Sequence, residues 1–248
     1  MDWYWHWQAG PISTSVEYVP SFWGPQYSSQ WNNRKQEMNA NMPSRLLAFN
    51  EPDIESQANM SPAYAAQLYA AEICPWQKRG VKISTPQIVW DWNWLDSFFN
   101  TLRARDDGCE PDFLALHWYG GKNDIGKFKA FLQKGWNTYR KSVWVTECGL
   151  TASSNPSTAE VERFMRSALA WGESLTGPIF FFAFGQLGPD AIPSIPLRPV
   201  DTQDYIKRFA WTGVFAVSSP PDDFISNRVA LFNNDGSLRS TAYIFQQE

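Results

Sequence analysis

Leu46-Leu47-Ala48-Phe49-Asn50-Glu51-Pro52-Asp53 is an apolar run that turns polar within one residue. Pro52 has no N–H to give to a sheet ladder, so a strand here must end at about Glu51. Val143-Trp144-Val145-Thr146-Glu147-Cys148-Gly149 repeats the arrangement: an apolar strand runs into a carboxylate, and Gly149 then releases the chain. With side chains alternating at a period of two, Val143, Val145 and Glu147 share one face, and Trp144, Thr146 and Cys148 the other. Between these segments lies Phe113-Leu114-Ala115-Leu116-His117-Trp118-Tyr119-Gly120, where Phe113, Ala115, His117 and Tyr119 share a face. Apolar strands that end in chemically useful side chains are the mark of a parallel α/β barrel, whose function sits at the carboxyl ends of its strands.

The rest of the chain fits that reading. Its 248 residues are close to the usual size of one TIM-type (β/α)8 barrel, and there is no Gly/Ser linker or low-complexity tract to divide it, so residues 1–248 are expected to form one domain. Short apolar runs alternate with amphipathic stretches. Strands are expected at Asp2–Trp7, Glu17–Trp23, Arg45–Phe49, Lys82–Val89, Asp112–Tyr119 and Ser142–Glu147, with a further one at Ile179–Phe184, at Arg208–Phe215, or at both. Ser61-Pro62 opens a helix over Ala63–Ile73 that Pro75 should stop. Trp94, Leu95, Phe98, Phe99 and Leu102 mark a second helix face, and Asp124–Tyr139 reads as a third helix. Ser157-x-x-Glu160 is a capping box for a fourth, running to about Glu173. Asn233-Asn234-Asp235-Gly236 reads as a hairpin turn between Val229–Phe232 and Ser237–Ile244.

Composition narrows the function. Twenty-one basic against 25 acidic residues leave a net charge of −4 without a long run of either sign, which argues against nucleic-acid or anionic-membrane partners. No stretch reaches the ~18 apolar residues of a membrane span. Fourteen Trp, nine Tyr and 17 Phe are an excess that suits sugar binding as well as a core, because a pyranose packs its C–H face on an aromatic ring. Cys74, Cys109 and Cys148 are too few for a disulfide scaffold; one pair and a free thiol is one arrangement open to them, with Cys148 expected in the core. His6 and His117 are the only histidines, so no metal site is expected, and no phosphate loop is present. No cofactor is expected.

Two carboxylates across a cleft are the minimum machinery for glycoside hydrolysis. Glu51 and Glu147 are the candidate catalytic pair. His117 and Tyr119, on the face shared with the strand ends, are candidates to donate hydrogen bonds to Glu147. Asn50 and Gln87 are planar amides near strand ends, suited to sugar hydroxyls. Trp23, which ends an apolar strand before Gly24, is a candidate sugar platform. Trp90 and Trp92 could line a cleft, and Trp211 is a further platform candidate if its segment is the last strand.

These residues resemble a known family. Asn50-Glu51-Pro52 is similar to the end of the fourth strand in the clan of retaining TIM-barrel glycosidases, and Thr146-Glu147 to the end of its seventh. More narrowly, the chain resembles glycoside hydrolase family 128, the Asl1-like β-1,3-glucanases. The resemblance runs through Trp3–Trp7, Glu17–Gly24, Leu47–Asp53, Ser84–Gln87, Asp112–Gly120, Val145–Glu147 and Asp235–Leu238. It implies Glu51 as acid/base, Glu147 as nucleophile, Asn50 on the sugar 2-hydroxyl, and a β-1,3-glucan oligo- or polysaccharide as substrate, cleaved by an endo-acting monomer. It also implies an incomplete or atypical first strand, since the family opens with one that precedes the Trp-rich segment. His6 stands where the family has Asn. A secreted or cell-wall-associated protein is expected, its leader removed ahead of Asp2. A glucan-binding protein without catalysis, or a barrel hydrolase for another β-glycan, would share most of these features.

Overall fold

In the computed structural model the described residues are 3–7, 10–11, 17–172, 179–183 and 205–244. The chain divides into two compact units. One comprises residues 5–11 and 18–117, the other residues 1–4, 12–17 and 118–248.

In the first unit, parallel segments run side by side. β3 (Arg45–Leu46) pairs with β4 (Lys82–Ile83), and the alignment continues as single bridges, Ser21 to Leu47, Asn50 to Gln87, Ser84 to Phe113 and Ile88 to Leu116. The regular ladders are far shorter than the apolar runs predict. Hydroxyls take the place of backbone partners: Ala48 N–H donates to Ser84 Oγ at 2.9 Å and Ala115 N–H to Thr85 Oγ1 at 3.0 Å. Pro86, next in line, has no N–H to offer. The pairing is carried on by side chains through the Ser84-Thr85-Pro86 break.

Four helices cover this unit. Ser61 caps α2 (Pro62–Glu72) through its side chain, with Pro62 in the first turn as expected. Pro75 does not simply stop the chain. It sits in the first turn of α3 (Cys74–Gln77), where a missing N–H costs nothing. The face predicted for α4 (Trp92–Arg103) is buried, from Trp94 to Leu102, and the Trp94 indole donates to Met60 O at 2.7 Å. α1 (Ser28–Ala40) escapes sequence reading because its buried stripe is Trp31, Arg34 and Met38, with a cation in the middle. Burial lowers the Arg34 pKa to about 10, against the raising effect of Glu37, and the guanidinium lies 5.4 Å from the Tyr18 ring centre. Cys74 and Cys109 form a disulfide 35 residues apart, while Cys148 is free and buried.

The second unit is built on a sheet in the order β5-β6-β8-β7, from β5 (Leu114–Gly120), β6 (Val143–Leu150), β7 (Ile179–Ala183) and β8 (Ile206–Val214); the last three residues of β5 belong to this unit. Both candidate last strands therefore form. β8, later in sequence, lies between β6 and β7 and is parallel to both. That order departs from the consecutive neighbours of a (β/α)8 barrel, and the sheets among the described residues do not close on themselves. Phe184, and residues 184–204 of the Pro-rich tract, lie outside the described residues. Trp3 of β1 (Trp3–Tyr4) rests 5.0 Å from Trp144, and Arg208 lies 4.2 Å from the Trp144 ring centre while pairing with Glu17 of β2 (Glu17–Tyr18) at 2.6 Å. Against the sheet, α5 (Ile125–Tyr139) buries Phe128 and Leu132, and α6 (Thr158–Gly172) brings Phe164 to stack on Trp118 at 5.2 Å.

The capping box of α6 is present. Ser157 N–H donates to Glu160 at 2.8 Å and Glu160 N–H to Ser157 Oγ at 3.3 Å. The 233–236 turn also forms, with Gly236 in the left-handed region at φ 83°, but its flanks hold one antiparallel bridge, Phe232 to Leu238, and the chain then enters α7 (Ser240–Tyr243).

Replacing both Cys74 and Cys109 by Ala should remove about 4 kcal/mol of unfolded-state restraint. A fall in melting temperature of roughly 8–15 °C by calorimetry is expected. Glu160 makes a pH prediction. The Ser157 N–H, then Lys122 and the Ser157 hydroxyl, lower its pKa from 4.5 to about 2. A depressed carboxyl stabilises the fold above its ordinary range and loses that contribution as pH falls from 4.5 toward about 2. Urea titrations at pH 6 and pH 2.5 should show a smaller acid loss for Glu160→Gln than for the wild type; equal losses would refute the assignment.

Candidate active site

Glu51 closes the segment that begins with β3, in a backbone conformation rare for a side chain: φ is 44°. Asn50 N–H donates to Trp23 O at 2.8 Å and Glu51 N–H to Gln87 O at 2.9 Å, so the neighbouring strand ends hold this turn from both sides. Glu51 is 8% exposed and Asn50 wholly buried. Neither is a surface acid or amide in open water.

The Glu51 carboxylate lies against His117: Oε1 and Nδ1 are 2.7 Å apart. The other imidazole nitrogen, Nε2, is 3.2 Å from Gln87 Oε1, while Gln87 Nε2 donates to Ala48 O at 2.9 Å. A carbonyl only accepts, so the Gln87 amide must turn its nitrogen to Ala48 and its oxygen to His117. His117 Nε2 then carries hydrogen. If the imidazole is neutral, Nδ1 is a bare acceptor, and the hydrogen in its contact with Glu51 belongs to the carboxyl. If it is imidazolium, that hydrogen is the ring's. In either form the Glu51–His117 pair keeps a proton beyond the one on Nε2. The sequence places His117 on the active face but assigns its donation to Glu147; the short bond seen here is to Glu51.

Glu147 lies inside β6, which runs three residues past it to Leu150, and is 1% exposed. The expected phenol is present: Tyr119 O–H donates to Glu147 Oε2, and Thr212 Oγ1 lies 3.4 Å from the same phenol oxygen. Burial works against the charge on this carboxylate, and the phenol hydrogen bond works for it. Gly213, next to Thr212 in β8, permits a close approach, since a Cβ there would fall 2.5 Å from Val229 O. That carbonyl accepts the Trp211 indole N–H at 3.1 Å.

The remaining candidates divide by exposure. Trp23 is half-buried, and its ring meets Tyr27 at 5.0 Å and Trp7 at 6.3 Å, a partly open aromatic group one strand from Glu51. Trp211 has no exposed face, which corrects its reading as a sugar platform. Gln87 and His117 are likewise wholly buried, with the Gln87 amide occupied at both ends. Two residues were not singled out as functional. Gln57 Oε1 accepts from Asn50 Nδ2 at 3.2 Å. Asp53 takes N–H groups from Val89, Trp90 and Asp91. Burial raises the Asp53 pKa and these hydrogen bonds lower it, with burial the larger effect. An acid after Pro in a polar stretch carries no signal that distinguishes it from a solvated loop residue. Trp90 is 54% exposed, an open indole at the end of the β4 segment.

Residues 1–185 match the family described as the glycosyl hydrolase catalytic core, and the chain belongs to that family. Alkali-sensitive linkage protein 1 of Schizosaccharomyces pombe is 24% identical over 255 residues, covering 99% of this chain and 40% of that protein. The chain thus spans about 40% of the length of this curated relative. An endo-β-1,3-glucanase of glycoside hydrolase family 128, subgroup I, from Amycolatopsis mediterranei, solved with laminaripentaose, is 26% identical with a TM-score of 0.70, covering 98% of this chain and 89% of its own. A curdlan-specific exo-β-1,3-glucanase of subgroup III from Blastomyces gilchristii, solved with glucose, shares the fold at 24% identity and a TM-score of 0.72, covering 100% and 89%.

Gln87→Leu should orphan both the Ala48 carbonyl and the His117 Nε2–H. A loss of about 2–5 kcal/mol in urea unfolding is expected from two unsatisfied buried groups. In the wild type, 15N-resolved imidazole spectra should report hydrogen on Nε2 of His117. A spectrum of the Nδ1–H tautomer would contradict the Gln87 orientation.

Proposed function

We propose that the chain is a retaining hydrolase of β-1,3-glucan, with Glu51 as acid/base and Glu147 as nucleophile. The observation that carries this is the contrast between the two settings: Glu51 shares a proton with His117, while Glu147 accepts a phenol hydrogen. One is equipped to deliver a proton and the other to remain an anion. In the first step Glu51 protonates the departing glycosidic oxygen while Glu147 attacks C1. In the second, Glu51 takes a proton from water as that water displaces Glu147 from C1. The reading takes residues 1–248 as one catalytic domain with the strands of a (β/α)8 barrel, its first strand atypical.

The β-1,3-glucan substrate is supported by the solved relatives, which are named as β-1,3-glucanases of both endo and exo action. The proposal is endo action by a monomer, with Asn50 on a sugar hydroxyl and Trp23 and Trp90 as platforms. The Cys74–Cys109 disulfide supports secretion or a place at the cell wall, since such bonds persist in oxidising compartments. No helix among the described residues is long and apolar enough to cross a membrane.

The protein should release reducing sugar from laminarin as a series of short oligosaccharides. Glu51→Ala and Glu147→Ala should each lower turnover by at least about 10²-fold. Azide separates the two roles. With an activated aryl β-glucoside, azide should give the β-glycosyl azide on the Glu51 variant and the α-glycosyl azide on the Glu147 variant. Laminarin turnover within tenfold of wild type in both variants would sink the proposal.

A further inference from the structure

Glu51 occupies a conformation that its residue type resists. A non-glycine residue in the left-handed region costs about 1–2 kcal/mol. The residue before a proline is held still more strongly to extended backbone. Glu51 has φ 44° and is followed by Pro52. Such strain persists only where the surroundings over-determine it.

The determinants lie in the next few residues. Glu51 O accepts from Ile54 N–H at 3.0 Å, Pro52 O from Met60 N–H at 2.9 Å, and Asn50 O from Ala58 N–H at 3.3 Å. These bonds close the loop on itself. What fixes it to the neighbouring strand end is the Asp53 side chain. Asp53 Oδ2 gathers three successive backbone N–H groups, from Val89 at 3.2 Å, Trp90 at 3.3 Å and Asp91 at 3.1 Å; Oδ1 shares the first at 3.3 Å. Two residues from Glu51, this clasp continues the Glu51 N–H to Gln87 O bond along the same partner segment. Asp91 in turn caps α4, accepting from Trp94 N–H at 3.0 Å, so the receiving segment is itself anchored.

We propose that Asp53 is the positioning residue for the acid/base. Its carboxylate clasps residues 89–91, holds the left-handed turn at Glu51, and so sets where the Glu51 proton is delivered. The inference rests on the reading of Glu51 as acid/base. Asp53 itself need touch no reacting atom.

The leaving group separates this role from a merely structural one. A sugar alkoxide cannot depart from C1 without a proton, whereas 2,4-dinitrophenolate can. A displaced Glu51 should therefore harm glucan cleavage selectively, and a displacement of 1 Å is enough for a loss of about 10²-fold. The experiment compares kcat/KM, which reports the first step, on laminarihexaose and on 2,4-dinitrophenyl β-laminaribioside. The proteins are wild type, Glu51→Gln, Asp53→Ala and Asp53→Asn, each as the full chain. Asp53→Ala should lose on the order of 10²-fold on the hexaose and at least tenfold less on the aryl substrate. Asp53→Asn, which keeps one acceptor oxygen, should fall between it and wild type, and it supplies the comparison if the alanine variant does not fold. Equal losses on both substrates, or no loss on the hexaose, in whichever Asp53 variant folds, would overturn the proposal. Glu51→Gln tells the two failures apart. If it lacks the selective loss, the acid/base assignment falls and the positioning role with it. If it has the loss and the Asp53 variants do not, only the positioning role falls.

Discussion

The site in the first unit depends on one amide. Gln87 exchanges backbone hydrogen bonds with the Phe49–Glu51 segment, donating to Phe49 O at 2.8 Å and accepting from Glu51 N–H at 2.9 Å. Its side chain then bridges the Ala48 carbonyl and the His117 ring. Because a carbonyl has no hydrogen to give, the direction of every bond in this chain follows from its first member, and the last member is a carboxyl sharing a proton. A fully satisfied buried network of this kind is rigid, and each partner stabilises its neighbour in one orientation. An ionised Glu would present only acceptors to Ala48, and Leu would present nothing.

The second carboxylate is held by a different device. Glu147 lies within a regular strand whose eight residues are all buried, so its backbone needs no special turn and its position comes from the ladder. Glu51 lies where the ladder has already stopped: His117, backed by Gln87, meets its carboxyl, and the Gln87 carbonyl and the loop bonds hold its backbone. In the proposed mechanism Glu147 would meet one carbon along one line, which a strand can provide. Glu51 would address two different oxygens in turn, and a strained turn that other groups restrain can be set for that without disturbing the sheet.

The legible part of this protein was where the Glu51 strand stops and where two helices start. The change from Phe49 to Asn50-Glu51-Pro52 is visible because apolar periodicity ends abruptly, and the capped starts of α2 and α6 are visible because Ser61 and Ser157 compete for helix N–H groups. The carboxylate at Glu147 was visible too, but the strand expected to end there runs on to Leu150. The length of ladder in each strand was not, because Ser84 and Thr85 substitute hydroxyls for backbone partners. α1 was hidden by Arg34, a cation where the pattern asks for an apolar residue. The partner of His117 was hidden for another reason. A period of two says which face a side chain joins but not which distant segment it meets there, and Glu51 is 66 residues away in sequence.

The aromatic excess is mostly a property of the core. Eight of the 14 tryptophans are buried, among them Trp3, Trp5 and Trp211 with no exposed surface at all. Composition alone therefore overstates the sugar-binding surface. The open rings that remain near Glu51 lie on the two strand ends that flank its own: Trp23 with Tyr27 on one, and Trp90 on the other. The flanking follows from the parallel order, since Asn50 N–H is bonded to Trp23 O and Glu51 N–H to Gln87 O, three residues before Trp90. On the proposed function, a stacked ring would contribute apolar contact but little discrimination among hydroxyl patterns, so the choice of one β-glycan over another would fall on polar groups. Asn50 is one whose amide is already oriented, by Gln57.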